Sequence, residues 1–481
     1  MGDAQRLTAD VVVVGSGAGG APVAAVLAEA GRRVIVVEAG PRLESADFTG
    51  DESEMTARLW KITGTADTTQ SLYAGACVGG STVINDALCF RPPPEVLEEW
   101  RTVHGLTGLT DATLAPFVER AWADVHAEPT GRDHLNRNAR LLALGAKRLG
   151  WSASATPRNV KDCANLGLCN YGCPSNAKQS ALLTYVPRAE RAGARVLADT
   201  RVERVRVEGG MARGVDAVGP DGTRLAIDAP LVCVGAGVLE TPALLLRSGV
   251  RGRAGQGLQF HSSVHVTARF PDPVHGYYGP TMAFAVDELS DVHGHRGPGV
   301  MIESVAVQPI VAATALPGFG AAHAEAMAAL PYMARALVVI HDRTRGTMTQ
   351  DGAITYALVP ADVERLRAGI VGAASCYLNA GADEVFVPIY GTSPIRREAE
   401  LAPVLKMPLR PSDFASLYAV HLFGGAAMGG SPAQGTCDEA GAVLGVRGLY
   451  VVDAASLPSA TGVNPQITIM ANALRIAAGM R

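Results

Sequence analysis

The chain has no run of Lys or Arg longer than two or three residues, and its net charge is -4. Both features exclude a surface built for nucleic acid or another polyanion. No stretch of about 18 uninterrupted apolar residues is present, so no membrane span is expected. The N-terminal segment MGDAQRLTAD has no apolar centre of the kind a secretory signal requires. A cytoplasmic protein is therefore expected, with its eight cysteines reduced. Internal repeats and low-complexity segments are missing, which excludes solenoids and disordered arrays. His/Glu/His metal spacing is missing too, and His293 and His295 stand in no constellation beyond a solvated loop. What remains is a globular composition, 48% hydrophobic and 18% charged. A length of 481 residues is too much for one core and implies two or three domains.

Glycine, in contrast, is abundant at 54 residues, which fits close backbone approaches to a ligand. The most informative stretch runs from Asp10 to Gly40. Val11 to Val14 form a continuous apolar run, as in a parallel strand buried on both faces. Gly15, Gly17 and Gly20 then give GxGxxG, in which the first glycine makes the turn, the second admits a pyrophosphate, and the third brings helix against strand. Ala21 to Ala30 read as the helix whose N-terminus receives the anion, and Val34 to Val37 as the second strand. Glu38 ends that strand about 20 residues past the glycines, where a carboxylate accepts from ribose hydroxyls. A second glycine loop, from Tyr73 to Asn85, holds Gly79 and Gly80 followed by Ser81 and Thr82. It suits backbone pressed against a flat ligand, with the two hydroxyls offering hydrogen bonds.

Elsewhere the coarse pattern alternates. Asp51 to Thr69 read as polar and irregular, three prolines mark a boundary in FRPPPEVLEEW, and Leu114 to Leu149 read as mostly helical. Hairpin turns are expected at Gly209-Gly210 and Asp221-Gly222. The strand APLVCV ends at Gly235-Ala236-Gly237, but Glu240 takes the place of the third glycine, so a second complete dinucleotide site is not expected. A helix is expected over Leu239 to Leu246, strands in SSVHVTARF and EVFVPIY, a helix over Ala361 to Ala380, and a closing strand and helix in GLYVVDAASLP and QITIMANALRIAAGM.

Several segments also carry a resemblance. The opening turn, CVGGSTVIND, GAGVLETPALLLRSGV, GQGLQFH, HLFGGAAMGG and LYVVDAASLPSATGVNPQITIMANALRIA occur in the order seen in glucose-methanol-choline (GMC) flavoprotein oxidoreductases. CFRPPPEVLEEW, GCPSNAKQSALLTYVPRA and VVIHDRTRG look most like the long-chain alcohol oxidase branch and its bacterial relatives. The resemblance implies an α/β fold, in which a Rossmann-type FAD-binding domain accompanies a discontinuous α+β substrate-binding domain on a mixed sheet. The FAD-binding part is expected in residues 1–90, 191–261 and 412–481, a helical and Cys-rich insertion in 91–190, and the substrate part in 262–411. It further implies that Gly15, Gly17, Ala18, Gly20 and Glu38 hold the ADP half of FAD. Gly79, Gly80, Ser81 and Asn85 would line the flavin, while Asp453 and Pro465 complete the cofactor side. His421 and Asn464 occupy the positions of the family's catalytic pair. His261, also at a motif position, is expected to be structural.

Oxidising an alcohol to an aldehyde or ketone removes a hydroxyl proton and a carbon-bound hydride, and flavin N5 accepts the hydride. A histidine is suited to take the proton near neutral pH, and Asn464 can hydrogen-bond the same hydroxyl. Two other reactions share the fold: hydroxynitrile lyases, which leave flavin oxidised, and fatty acid photoenzymes, which need light. The alcohol remains open among long-chain, sugar and polycyclic classes. Cys163, Cys169 and Cys173, spaced C-x5-C-x3-C before Pro174, resemble the segment of cluster-bearing sugar dehydrogenases. They suit three ligands of a 3Fe-4S cluster feeding an electron-transfer protein or quinone, with structural thiols as the competing reading.

Overall fold

A computed structural model describes residues 5–316 and 318–480; the first four residues of the N-terminal segment lie outside these. Its organising element is a five-stranded sheet whose strands run in the order Leu449–Val451, Leu231–Val234, Val11–Val14, Val34–Val37, Arg195–Leu197. Every adjacent pair is parallel. The two Val-rich strands are buried at all positions, as continuous apolar strands must be when helices cover both faces. Helix Gly20–Glu29 follows the glycine turn directly and carries Ala, Val and Leu into the core. The closing helix Gln466–Ala478 packs on it. Beside this sheet lies a four-stranded one ordered Gln5–Thr8, Arg224–Asp228, Met211–Val218, Arg201–Glu208. Its two hairpins turn at the expected glycines.

The third sheet is mixed and has eleven strands. Its spine is the long strand Gln256–Arg269, which pairs antiparallel with Tyr418–Phe423 in one part and with Met333–Ile340 in another. Val300–Ser304 continues the sheet beyond Met333–Ile340. Strand alternation sorts the two faces. Ala334, Ala336 and Val338 pack under helices Arg137–Leu149 and Pro360–Ala380, while Leu337 and Val339 join Leu88, Met282 and Val305 on the side turned to the parallel sheet.

Three segments differ from expectation. Asp51 to Thr69 are not irregular: Asp51 caps helix Glu52–Leu59 by accepting from Glu54 N at 2.8 Å, and strand Trp60–Gly64 follows. This helix is mostly polar, but Met55 and Leu59, four apart, bury its inner stripe. Between helices Asp111–Asp124 and Arg137–Leu149 the chain makes a short strand, Ala127–Pro129, paired with Pro157–Asn159. The expected division at 261/262 falls inside the unbroken strand Gln256–Arg269, the spine of the mixed sheet. Among the described residues, no helix is long and apolar enough to cross a membrane.

Candidate active site

One cavity of about 690 Å³ runs from the glycine turn to the mixed sheet. Gly15, Gly17, Ala18, Glu38, Gly80, Ser81, Asn85, Asp453, Asn464, Pro465 and His421 all border it. Gly20 and Gly79 act from behind the wall. A Cβ on Gly20 would sit 2.0 Å from Gly15 O, and one on Gly79 2.7 Å from a Val83 methyl. Gly15 has φ of +91°, and its Cβ would lie 2.3 Å from Gly235 O. The two glycine loops also approach each other: a Cβ on Gly80 would come within 2.9 Å of Gly17 Cα. A Cβ on Gly17 would meet Gly80 Cα at 3.7 Å, an ordinary contact, and Gly17 itself borders the cavity. A helix N-terminus with open backbone above it is the cradle a pyrophosphate requires, so this end fits the ADP half of FAD.

Several polar groups expected to meet the ligand are first used to build the wall. Glu38 Oε2 accepts from Ser16 N at 2.9 Å and Ser16 Oγ at 2.7 Å, and Oε1 accepts from Gly40 N at 3.0 Å. Ser16 Oγ in turn accepts from Gly79 N at 3.0 Å, tying the two glycine loops together. Burial pushes the Glu38 carboxyl above its ordinary pKa, against these donors. Asp453 Oδ2 accepts from Gly237 N at 2.7 Å and Thr241 Oγ1 at 2.6 Å, so this carboxylate braces the Gly235–Gly237 turn beside the cavity. Ser81 Oγ accepts from Gly75 N at 2.9 Å, and Thr82 Oγ1 donates to Gly79 O at 2.6 Å. Asn85 Nδ2 donates to Gln466 Oε1 at 2.9 Å, joining the second loop to the closing helix. Glu240, which stands where a further glycine would be, forms ion pairs with Lys61 and Arg201 at the rim.

The Cys-rich segment lies behind the second loop. Its organising group is Lys178, a buried ammonium that donates to Val83 O at 2.5 Å, Asn85 O at 2.8 Å and Cys169 O at 2.5 Å. Cys169 Sγ accepts from Arg158 at 3.3 Å, and Cys173 Sγ accepts from Lys178 N at 3.4 Å. With Cys163 they edge a space of about 20 Å³, room for roughly one water. Among the described residues, no group of three His, Cys, Asp or Glu side chains is arranged to hold a metal. The three thiols therefore do not fit the 3Fe-4S cluster that the spacing suggested, and the segment is a staple between loops. The other five cysteines are buried.

At the far end of the cavity is His421, on strand Tyr418–Phe423. Phe260 pairs with Leu422 and Ser262 with Ala419, so Val420 and His421 together oppose His261. Such a bulge turns a side chain out of the regular alternation. Across it, His261 Nδ1 and His421 Nδ1 are 3.2 Å apart, with rings nearly perpendicular at 87°. His261 Nε2 accepts from Gly462 N at 3.0 Å, two residues before Asn464. His261 thus touches both the His421 strand and the Asn464 loop. Burial lowers the pKa of His421 to about 4, and burial with two neighbouring imidazoles lowers that of His261. Both rings are neutral near pH 7.

Sequence reasoning missed Glu303. It lies opposite Leu337 in register, on the sheet face turned toward the cavity, and its carboxyl faces the Asn464 amide. Its Oε2 is buried without a protein partner. Neighbouring groups on that face are Asp86 and the buried Arg335, while Tyr418 Oη and His265 Nε2 hydrogen-bond at 2.8 Å. The available signal was Glu303 itself, a charged residue within the largely apolar run Val300 to Val307.

A dinucleotide cradle opening onto a buried imidazole, beneath a mixed substrate sheet, defines a flavoprotein oxidoreductase of two-domain architecture. Residues 10–263 and 342–473 match the N- and C-terminal GMC oxidoreductase family models. The chain belongs to the GMC oxidoreductase family. It is 38% identical, over 98% of its length and 75% of the relative's, to an uncharacterised GMC-type oxidoreductase of Mycobacterium tuberculosis. A long-chain-alcohol oxidase of Arabidopsis thaliana is 28% identical over 97% of this chain and 66% of that protein. The crystal structure of pyridoxine 4-oxidase from Mesorbium loti superposes with a TM-score of 0.75, at 20% identity and 98% coverage of both chains.

Proposed function

We propose that this protein is an FAD-dependent oxidase or dehydrogenase that converts an alcohol CH-OH group to an aldehyde or ketone. The observation that carries this reading is the continuity of one cavity from the GxGxxG turn to His421 and Asn464. When bound, FAD supplies the hydride acceptor. Gly15, Gly17, Ala18 and Glu38 would hold its ADP half with Gly20 backing the turn, and Gly80, Ser81, Asn85, Asp453 and Pro465, with Gly79 behind them, would shape the remainder of the wall.

On the substrate side His421 and Asn464 meet the reacting oxygen, and His421 assists loss of the hydroxyl proton. The neutral state of His421 suits that task, since a neutral ring can accept a hydrogen bond from within the protein on one nitrogen while the other donates to the oxygen as it loses its proton. Leu88, Met282 and Leu337 border the same end of the cavity and favour an apolar substrate body next to the carbinol. Support for this substrate class also comes from the Arabidopsis long-chain-alcohol oxidase.

The test is anaerobic mixing of the FAD-loaded protein with a panel of long-chain, polycyclic and sugar alcohols in the dark. Bleaching of the oxidised flavin is expected with at least one of them, the long-chain and polycyclic members ahead of sugars. A flavin that stays oxidised with every alcohol, while the protein cleaves hydroxynitriles or turns over fatty acids only in light, would replace this reading.

A further inference from the structure

We infer that His261 is a positioning residue that fixes neutral His421 with its hydrogen on Nε2, so that His421 meets the substrate oxygen as a hydrogen-bond donor. The inference rests on the alcohol-oxidising reading for its consequence, but not for its geometry. It follows from counting hydrogens across two rings. The Gly462 N–H points at His261 Nε2 at 3.0 Å, so that nitrogen carries a lone pair. A neutral imidazole has one N–H, which in His261 must then be on Nδ1. That hydrogen is directed across 3.2 Å to His421 Nδ1, which must accept it. The single hydrogen of His421 is left on Nε2. His421 borders the cavity, and with Nδ1 turned to His261 its Nε2 is the nitrogen left for a ligand.

The opposite arrangement is closed. For His421 Nε2 to present a lone pair, His421 would donate from Nδ1 and His261 would accept on Nδ1. His261 would then carry its hydrogen on Nε2, against the Gly462 N–H. Gly462 cannot easily move away: it has φ of +68°, and a Cβ there would lie 3.1 Å from His341 Nδ1. His341 is itself anchored, with Nδ1 2.9 Å from Asp291 Oδ1 and Nε2 3.1 Å from Ala460 O. The loop bearing Asn464 and the tautomer of His421 are thereby set by one side chain.

A fixed donor aimed at the substrate oxygen stabilises negative charge as it develops there.

Nitrogen-15 spectra of histidine-labelled, FAD-loaded protein test this directly, with the His421 signals assigned by their loss in His421→Gln. The expected result is a protonated Nε2 and an unprotonated, hydrogen-bonded Nδ1 in His421, with the proton between the two rings covalently on His261. A His421 protonated on Nδ1, or on both nitrogens near neutral pH, would overturn the inference without any variant being made. In His261→Phe, FAD content should be retained, the His421 tautomer should become mixed, and flavin reduction by a responsive alcohol should slow ~10²-fold, with substrate affinity changed little. An unchanged tautomer in that variant would also overturn it. Should no alcohol reduce the flavin while the wild-type spectra show the expected tautomer, the proposed reaction fails and the positioning role of His261 stands.

Discussion

Glu303 is a carboxyl group with its ordinary pKa of 4.5 pushed up to about 8, chiefly by burial, with the Asp86 charge adding and the Asn464 amide opposing. The sign of its effect on stability follows. The folded chain retains this proton over a range where the unfolded chain has lost it, so stability falls as pH rises from 4.5 through about 8. Glu303→Gln cannot ionise and should show a shallower fall of the urea midpoint over that window. Asp342, also pushed up to about 8 by burial and the nearby Asp362, contributes in the same sense and keeps the slope from vanishing. Identical slopes in variant and wild type would mean that the Glu303 carboxyl is hydrated. Of the residues at this end of the cavity, His421 and Asn464 were legible because they sit in contiguous motifs. His261 and Glu303 gain their roles from register. One is opposed by a bulge 160 residues away in sequence, the other is set beside Leu337 across a strand pair. Neither relation is written locally.

Two elements carry the cofactor wall. The first is the strand, turn and helix from Val11 to Glu29, in which Gly20 backs onto Gly15 O at a distance no methyl group can share. Gly20→Ala should push helix from strand, cost about 1–3 kcal/mol of stability and release FAD, read as loss of flavin absorbance after gel filtration. Retention of stoichiometric flavin would mean that the helix can shift without cost. This unit was readable in full, since turn, helix and both strands are adjacent in sequence. The second element is the Cys-rich segment, where cysteine spacing left a cluster and structural thiols both open and the packing is that of a staple. The thiols drew attention, whereas the group that organises the segment is the Lys178 ammonium, bonded to three carbonyls from two loops. Lys178→Met strands those carbonyls at about 1–3 kcal/mol each if buried, so a drop in melting temperature together with weaker FAD retention is expected. Anaerobically purified protein should contain neither iron nor acid-labile sulfide in stoichiometric amount; finding both would restore the cluster. Helix Glu52–Leu59 was hidden for the opposite reason, its polar face outweighing two buried side chains in a short segment.

At the scale of the whole molecule, the long strand Gln256–Arg269 decides how cofactor and substrate halves meet. It starts near the flavin side, passes His261 at the bulge, and continues into the sheet whose inner face bears Glu303 and Leu337. A sequence divided by motif places a boundary at 261/262, because the segment GQGLQFH ends at His261 and strand continuity has no local mark. The proposed reaction requires an alcohol to deliver hydride into this cavity with His421 beside its oxygen. Stopped-flow mixing of FAD-loaded wild type and His421→Gln with a responsive alcohol, without oxygen, measures that most directly. The expected result is full flavin content in both proteins and reduction slower by about 10²–10⁴-fold in the variant. Reduction at equal rates in the two proteins would contradict it.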